Sequence, residues 1–138
     1  MTPRILLVDD DRAALYALSE ALAELPARLV LVGSGEEALR QVLRQEFAAI
    51  LLDVRLPHMD GFEVAAAIRS LERLRRTPII FMSAHEDRRR RPRPSALYER
   101  YFRKPLVPDV MREVVASFLP PSRADIGLPA QPAVPDPL

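Results

Sequence analysis

Asp9, Asp10, Asp53, Ser83 and Lys104 each sit at the end of a short, mostly apolar run of this 138-residue chain, and their types suit one kind of chemistry. Three carboxylates brought to one place would repel and raise one another's pKa unless a cation intervened. The donors are hard oxygens, with no thiolate and no histidine beside them, and this favours Mg²⁺ over softer metals. A carboxylate next to Mg²⁺ is a nucleophile for an incoming phosphoryl group, giving an acyl phosphate. An ammonium nearby would neutralise charge on the transferring oxygens. Lys104 is the single lysine among 20 basic residues. It marks a position where a compact ammonium on a flexible stem is wanted and the planar fork of arginine is not. The Ser83 hydroxyl can donate to a phosphoryl oxygen.

The runs that carry these residues read as strands alternating with helices. Residues 5–8 and 48–52 are continuous apolar stretches of the kind buried on both faces of a sheet. Residues 29–32, 78–82 and 101–103 supply three more strands. Helical spacing predicts helices over 13–25, stopped by Pro26; over 35–45, opened by a capping box at Ser34-Gly35-Glu36-Glu37; over 62–74, after a turn at Pro57 and Asp60-Gly61; and over 108–119, with Pro108 in the first turn. Such alternation implies a parallel sheet with helices on both faces. Ligands of such sheets bind at the carboxyl ends of the strands, where all five residues fall.

Composition narrows the classes. Charged residues make up 28% of the chain and the net charge is +1, so the field of the whole molecule draws neither nucleic acid nor an anionic membrane. Cysteine is absent, which removes disulfides and thiolate chemistry. No stretch approaches the roughly 20 apolar residues of a membrane span, and the first apolar run is too short and too acidic behind for a signal peptide. A cytoplasmic setting is the expectation. Residues 120–138 carry six prolines and read as a disordered tail, leaving 1–119 as the folded domain.

The segments Ile5-Leu6-Leu7-Val8-Asp9-Asp10-Asp11, Leu51-Leu52-Asp53-Val54-Arg55-Leu56-Pro57-His58-Met59-Asp60-Gly61, Phe81-Met82-Ser83-Ala84 and Lys104-Pro105 resemble the receiver domain of two-component systems, in that family's order and approximate spacing over residues 3–119. The resemblance implies a doubly wound, five-stranded parallel α/β sheet of the flavodoxin-like kind, in strand order 2-1-3-4-5. It implies Asp53 as phosphoacceptor and Asp10 and Asp53 as Mg²⁺ ligands. A backbone carbonyl near Arg55 would join them, with Asp9 acting largely through water. Ser83 and Lys104 match the family's hydroxyl and lysine, and Tyr101 matches its aromatic switch. Ser83, drawn toward a phosphoryl group, would vacate space that Tyr101 enters from outside, changing the face a partner reads. Arg55 and His85 match positions bordering the site, where they would tune phosphoryl lifetime. Partners implied are a histidine kinase or histidine phosphotransfer protein and a downstream protein target. Nucleic acid and membrane are disfavoured, and a homodimer is left open.

Two departures qualify the resemblance. The alternation calls for a fourth helix where the chain has Arg88-Arg89-Arg90-Arg91-Pro92-Arg93-Pro94. Adjacent like charges and two prolines oppose a helix there, so a short or disordered segment, mobile from about 86 to 95, is expected. The Gly-Ala pair expected before the fifth strand is replaced by Leu97-Tyr98-Glu99-Arg100. With no room for an output domain, the reading is a single-domain response regulator. Two alternatives remain beside it. One is a binding module that never takes phosphate. The other is an aspartate-dependent phosphatase built on Asp9-x-Asp11, against which stands Ala13 where such enzymes carry threonine. His58 reads as a solvent-facing loop residue.

Overall fold

A computed structural model of the protein describes residues 2–84 and 97–121. Five parallel strands form one sheet: β1 (Arg4–Val8), β2 (Arg28–Val32), β3 (Ala49–Asp53), β4 (Ile79–Ser83) and β5 (Arg100–Arg103), in the order β2-β1-β3-β4-β5. Among the described residues four α-helices accompany them: α1 (Arg12–Ala21), α2 (Gly35–Arg44), α3 (Gly61–Arg69) and α4 (Pro108–Ala116). The expected α/β architecture and strand order are therefore present.

The sheet divides the core in two, as the period of a strand requires. Leu6, Val8, Ile50, Leu52, Ile79 and Phe81 pack with Ala38 and Val42 of α2 and Val64 and Ile68 of α3. Ile5, Leu7, Leu51, Ile80 and Met82 face the other way, against Leu15 and Leu18 of α1 and Met111 and Val115 of α4. The three central strands are buried on both faces, which is why they read as unbroken apolar runs.

Helix boundaries depart from the sequence pattern by one residue at the amino ends of α1 and α3 and by more at the carboxyl ends of α1, α3 and α4. α1 stops at Ala21 rather than Leu25, because the chain tightens into turns in which Ala23 N–H donates to Glu20 O and Leu25 N–H to Leu22 O. Pro26 disfavours helical backbone at Leu25, while Leu25 still packs on the core from the turn. The helix expected over 62–74 is broken. α3 ends at Arg69, Leu71 is extended (φ −92°, ψ 124°), and a single 3₁₀ turn follows over Glu72–Leu74. The Ser70 hydroxyl donates to Ala67 O at 2.6 Å, taking over a carbonyl that a longer helix would have paired, and the Arg69 guanidinium donates to Leu74 O and Thr77 O, fastening the turn that follows. α4 likewise ends at Ala116, with turns from Ser117 to Leu119.

The expected capping box at α2 is only half formed. Ser34 Oγ accepts from Glu37 N–H at 3.1 Å, but the Glu37 carboxylate accepts from Gly33 N–H instead. A complete box opens α3, between Asp60 and Glu63. His85, the segment 86–95 and the tail from residue 122 onward lie outside the described residues, so the expectations for a fourth helix, a mobile arginine-proline segment and the tail fall there.

Candidate functional site

The order β2-β1-β3 makes the chain reverse its winding between β1 and β3, which opens a crevice at their carboxyl ends. Asp9 directly follows β1 and Asp53 closes β3. Backbone hydrogen bonds carry the ladder past the strand ends and fix both: Asp9 N–H donates to Val32 O, Val54 N–H to Met82 O, and Lys104 N–H to Ser83 O at 2.7 Å. Strand alternation sets the faces. Asp9 continues the row of Ile5 and Leu7, and Asp53 that of Ala49 and Leu51, both on the side of α1 and α4. Lys104 continues the row of Phe102 and joins them there.

At the centre the Lys104 Nζ donates to Asp9 Oδ2 at 2.6 Å and to Asp53 Oδ2 at 3.1 Å. The second oxygen of each carboxylate is held by backbone: Asp9 Oδ1 accepts from Asp11 N–H at 2.9 Å, and Asp53 Oδ1 from Arg55 N–H at 3.1 Å. Asp9 and Asp53 are buried while Asp10 is exposed at the mouth. Oxygens of all three lie within 4.8 Å of one another, so the site is an acidic pocket able to hold a metal ion. The donor set is all oxygen, which fits a hard divalent cation.

Burial pushes the Asp53 carboxyl up to about 6 from its usual 3.8, opposed by the Arg55 amide, raised further by Asp9 and opposed again by Lys104. Burial by itself lowers Lys104, but its contacts with Asp9 and Asp53 outweigh that and hold the ammonium above its ordinary pKa. One lysine thus partly compensates two buried carboxylates. The pocket retains excess negative charge that a cation would cancel.

Gly61, the first residue of α3, lets the helix approach this cluster from behind. Its amide donates to Val54 O at 2.7 Å, and a Cβ there would collide with the Asp53 carbonyl oxygen and stand 2.8 Å from Val54 Cα. Two clefts reach the pocket. One of about 270 Å³, walled by Ala14, Ala17, Leu106 and Met111, ends on Asp9 and Lys104. The other, about 500 Å³, passes Arg12 and Tyr16 to Asp9 and Asp10.

Of the residues singled out in the sequence, Asp9, Asp10, Asp53 and Lys104 converge. Ser83 is fully buried at the end of β4, one residue past Met82, the register partner of Asp53. It continues the row of Ile79 and Phe81 on the other face of the sheet. Tyr101 pairs in register with Phe81 and packs against its ring at 6.0 Å, with its hydroxyl oxygen already shielded from solvent. The ring thus packs against Phe81 in this structure, at the position the resemblance assigns to the aromatic switch. Arg55 is exposed and meets Asp53 through its amide. His58 is exposed, as expected, with a left-handed backbone (φ 69°). Asp11, not a site residue, caps α1 by accepting from Ala13 N–H and Ala14 N–H.

Sequence reasoning missed the cis peptide bond between Lys104 and Pro105, for which the Lys-Pro pair was the only available signal. It also missed the clamp of Arg69 and Glu99. Glu99 Oε1 accepts from Arg69 Nη2 at 3.2 Å and from Ile79 N–H at 2.7 Å, and no spacing rule connects residues so far apart.

Residues 5–116 match the family described as the response regulator receiver domain. The transcriptional regulatory protein AfsQ1 of Streptomyces coelicolor is 40% identical over 85 residues, 62% of this chain and 36% of that protein. The sensor protein GacS of Pseudomonas syringae pv. syringae is 37% identical over 86 residues, 60% of this chain and 10% of that protein. The chain therefore spans well under half the length of these curated relatives. The solved structure of the BeF3-activated DrrB receiver domain is similar with a TM-score of 0.74 and 28% identity, over 86% of this chain and 97% of that one. Among the described residues, no helix is long and apolar enough to cross a membrane.

Proposed function

The chain belongs to the response regulator receiver domain family, and from that membership we propose that it accepts a phosphoryl group on Asp53 from a histidine kinase or histidine phosphotransfer protein. The observation that carries the reading is the Lys104 ammonium bridging Asp9 and Asp53 beside Asp10. Asp10 and Asp53, with the Arg55 carbonyl, would hold Mg²⁺, and Asp9 would act through water. Bound there, Mg²⁺ supplies positive charge against the carboxylates and the phosphoryl oxygens.

The residues of the chain divide the remaining work. A carboxylate oxygen of Asp53 attacks phosphorus, the bond to the donor's histidine nitrogen breaks, and the imidazole keeps the electron pair. The Arg55 amide orients the nucleophile by holding its other oxygen. Lys104, already 3.1 Å from Asp53, pairs with the arriving phosphoryl charge, while Asp9 keeps the ammonium in place. Ser83 donates its hydroxyl to a phosphoryl oxygen, and Tyr101 reports the change at the surface. Arg55 and His85 set how readily water reaches the acyl phosphate. Output then runs through contact with a downstream protein in the cytoplasm. Residues 1–119 are the receiver and 120–138 a tail.

The test is transfer from a phosphorylated histidine phosphotransfer protein in the presence of Mg²⁺. The proposal expects at most one acid-stable but hydroxylamine-labile label per chain, and no sustained release of phosphate from monoesters. Labelling with no dependence on Asp53, or multiple turnover on monoesters, contradicts it.

A further inference from the structure

Tyr98 is a large aromatic residue that the phosphoryl site does not use, standing where the resemblance leads one to expect a small residue. Its ring lies 5.1 Å from that of Phe81 and 5.7 Å from that of Tyr101, and the Phe81 and Tyr101 rings are 6.0 Å apart. The three rings close a triangle, with Phe62 stacked edge-on behind Phe81 at 5.0 Å. Phe81 is fully buried, and Tyr98 and Tyr101 are half-buried against the same core cluster. Both tyrosine contacts have tilted or edge-to-face geometry, the favoured arrangement for aromatic pairs.

The chain around Tyr98 is anchored from the end of the sheet away from the phosphoryl site. Glu99 N–H donates to Ile79 O at 2.8 Å while the Glu99 carboxylate accepts from Ile79 N–H, so this residue grips the start of β4 twice. Arg69, 12% exposed, ties the same carboxylate to Leu74 O and Thr77 O. Tyr98 is therefore a fixed wall rather than a mobile neighbour. A Tyr101 ring swinging outward would leave two aromatic partners, not one.

We propose that Tyr98 is a positioning residue that holds Tyr101 packed against Phe81 before phosphorylation, so that the β5 face is largely preset. The inference rests on the reading of Asp53 and Tyr101 given above. Phosphorylation of Asp53 then shifts Tyr101 through a narrow range, because most of the population is already packed. A residue without the ring at position 98 widens that range: the unphosphorylated ring spends more time outward, and the phosphoryl group recovers it.

Fluorine NMR of 3-fluorotyrosine-labelled protein tests this, with Tyr16, 66% exposed, as the internal marker of a solvated ring. Tyr98→Leu keeps apolar bulk, and Tyr98→Phe keeps the ring. Val64→Ala loosens the same core cluster without altering the aromatic triangle. Without ligand, Tyr98→Leu is expected to lower the packed-to-outward ratio of Tyr101 by about 2- to 10-fold, the factor for one aromatic pair. Tyr98→Phe and Val64→Ala should match wild type. Mg²⁺ with beryllofluoride should then restore the Tyr101 signal of Tyr98→Leu. An unchanged ratio in Tyr98→Leu overturns the proposal, as does an equal drop in Val64→Ala. If the ratio drops but beryllofluoride alters no signal in any variant, Tyr98 still positions Tyr101 and the phosphoacceptor reading fails instead.

Discussion

Replacing Asp53 with asparagine should make the metal-free protein more stable at pH 8, although the substitution removes the proposed nucleophile. The carboxyl titrates at about 6 in the fold against 3.8 ordinarily, chiefly because it is buried, only 6% exposed. The folded state thus binds this proton more tightly than the unfolded chain does. Its stabilising share is fully present below pH 4 and is lost as the pH rises through 6. At about 1.4 kcal/mol per unit, the ionised group costs the fold about 3 kcal/mol at pH 8 and about 1 kcal/mol at pH 4.5. Asparagine keeps one oxygen for the Arg55 amide and gives up, together with the charge, the second oxygen to which Lys104 donates. Urea melts in EDTA should show Asp53→Asn more stable than wild type by about 2–3 kcal/mol at pH 8, an increase of roughly 8–12 °C in Tm. The gap should shrink to about a third at pH 4.5. Mg²⁺ should narrow it at pH 8 by stabilising wild type preferentially. No gain at pH 8, or a gain independent of pH, would refute the claim that Asp53 is held at a cost.

Lys104→Ala leaves the buried Asp9 and Asp53 uncompensated, and should destabilise the metal-free fold by about 3 kcal/mol in urea at pH 8. The same variant should slow labelling of Asp53 on the order of 100-fold, read by intact mass against time. Gly61→Ala drives a methyl group into the Asp53 carbonyl and Val54 Cα, backbone that cannot yield, and should cost about 3 kcal/mol by chemical denaturation. Asp60→Ala removes the capping box of α3 and should cost about 1 kcal/mol, with labelling little changed.

Much of the site was legible because strand ends are legible. A polar residue closing a doubly buried apolar run has few places to go, and in a parallel sheet those ends meet at one edge. Asp9, Asp53 and Lys104 therefore came together as read, and so did the strand order that the resemblance implied. Helix ends were not legible, since the apolar spacing of Leu25 and Leu74 persists where the backbone has already turned. Both residues reach the core from turns, which periodicity does not distinguish from helix. The packed state of Tyr101 was also out of reach. It depends on Tyr98 and Phe81, whose meeting is fixed by the β4–β5 register and by Arg69 and Glu99, not by local pattern.

In the function proposed above, Asp53 takes a phosphoryl group with the help of a divalent cation. Intact mass measured after incubation with acetyl phosphate and Mg²⁺ addresses it most directly, with wild type and Asp53→Asn run side by side and beryllofluoride binding as the check on donor choice. Wild type should gain the mass of one phosphoryl group and fail to gain it in EDTA, and Asp53→Asn should gain none. Equal labelling of both proteins, or wild type that neither labels nor binds beryllofluoride, would contradict this role of Asp53.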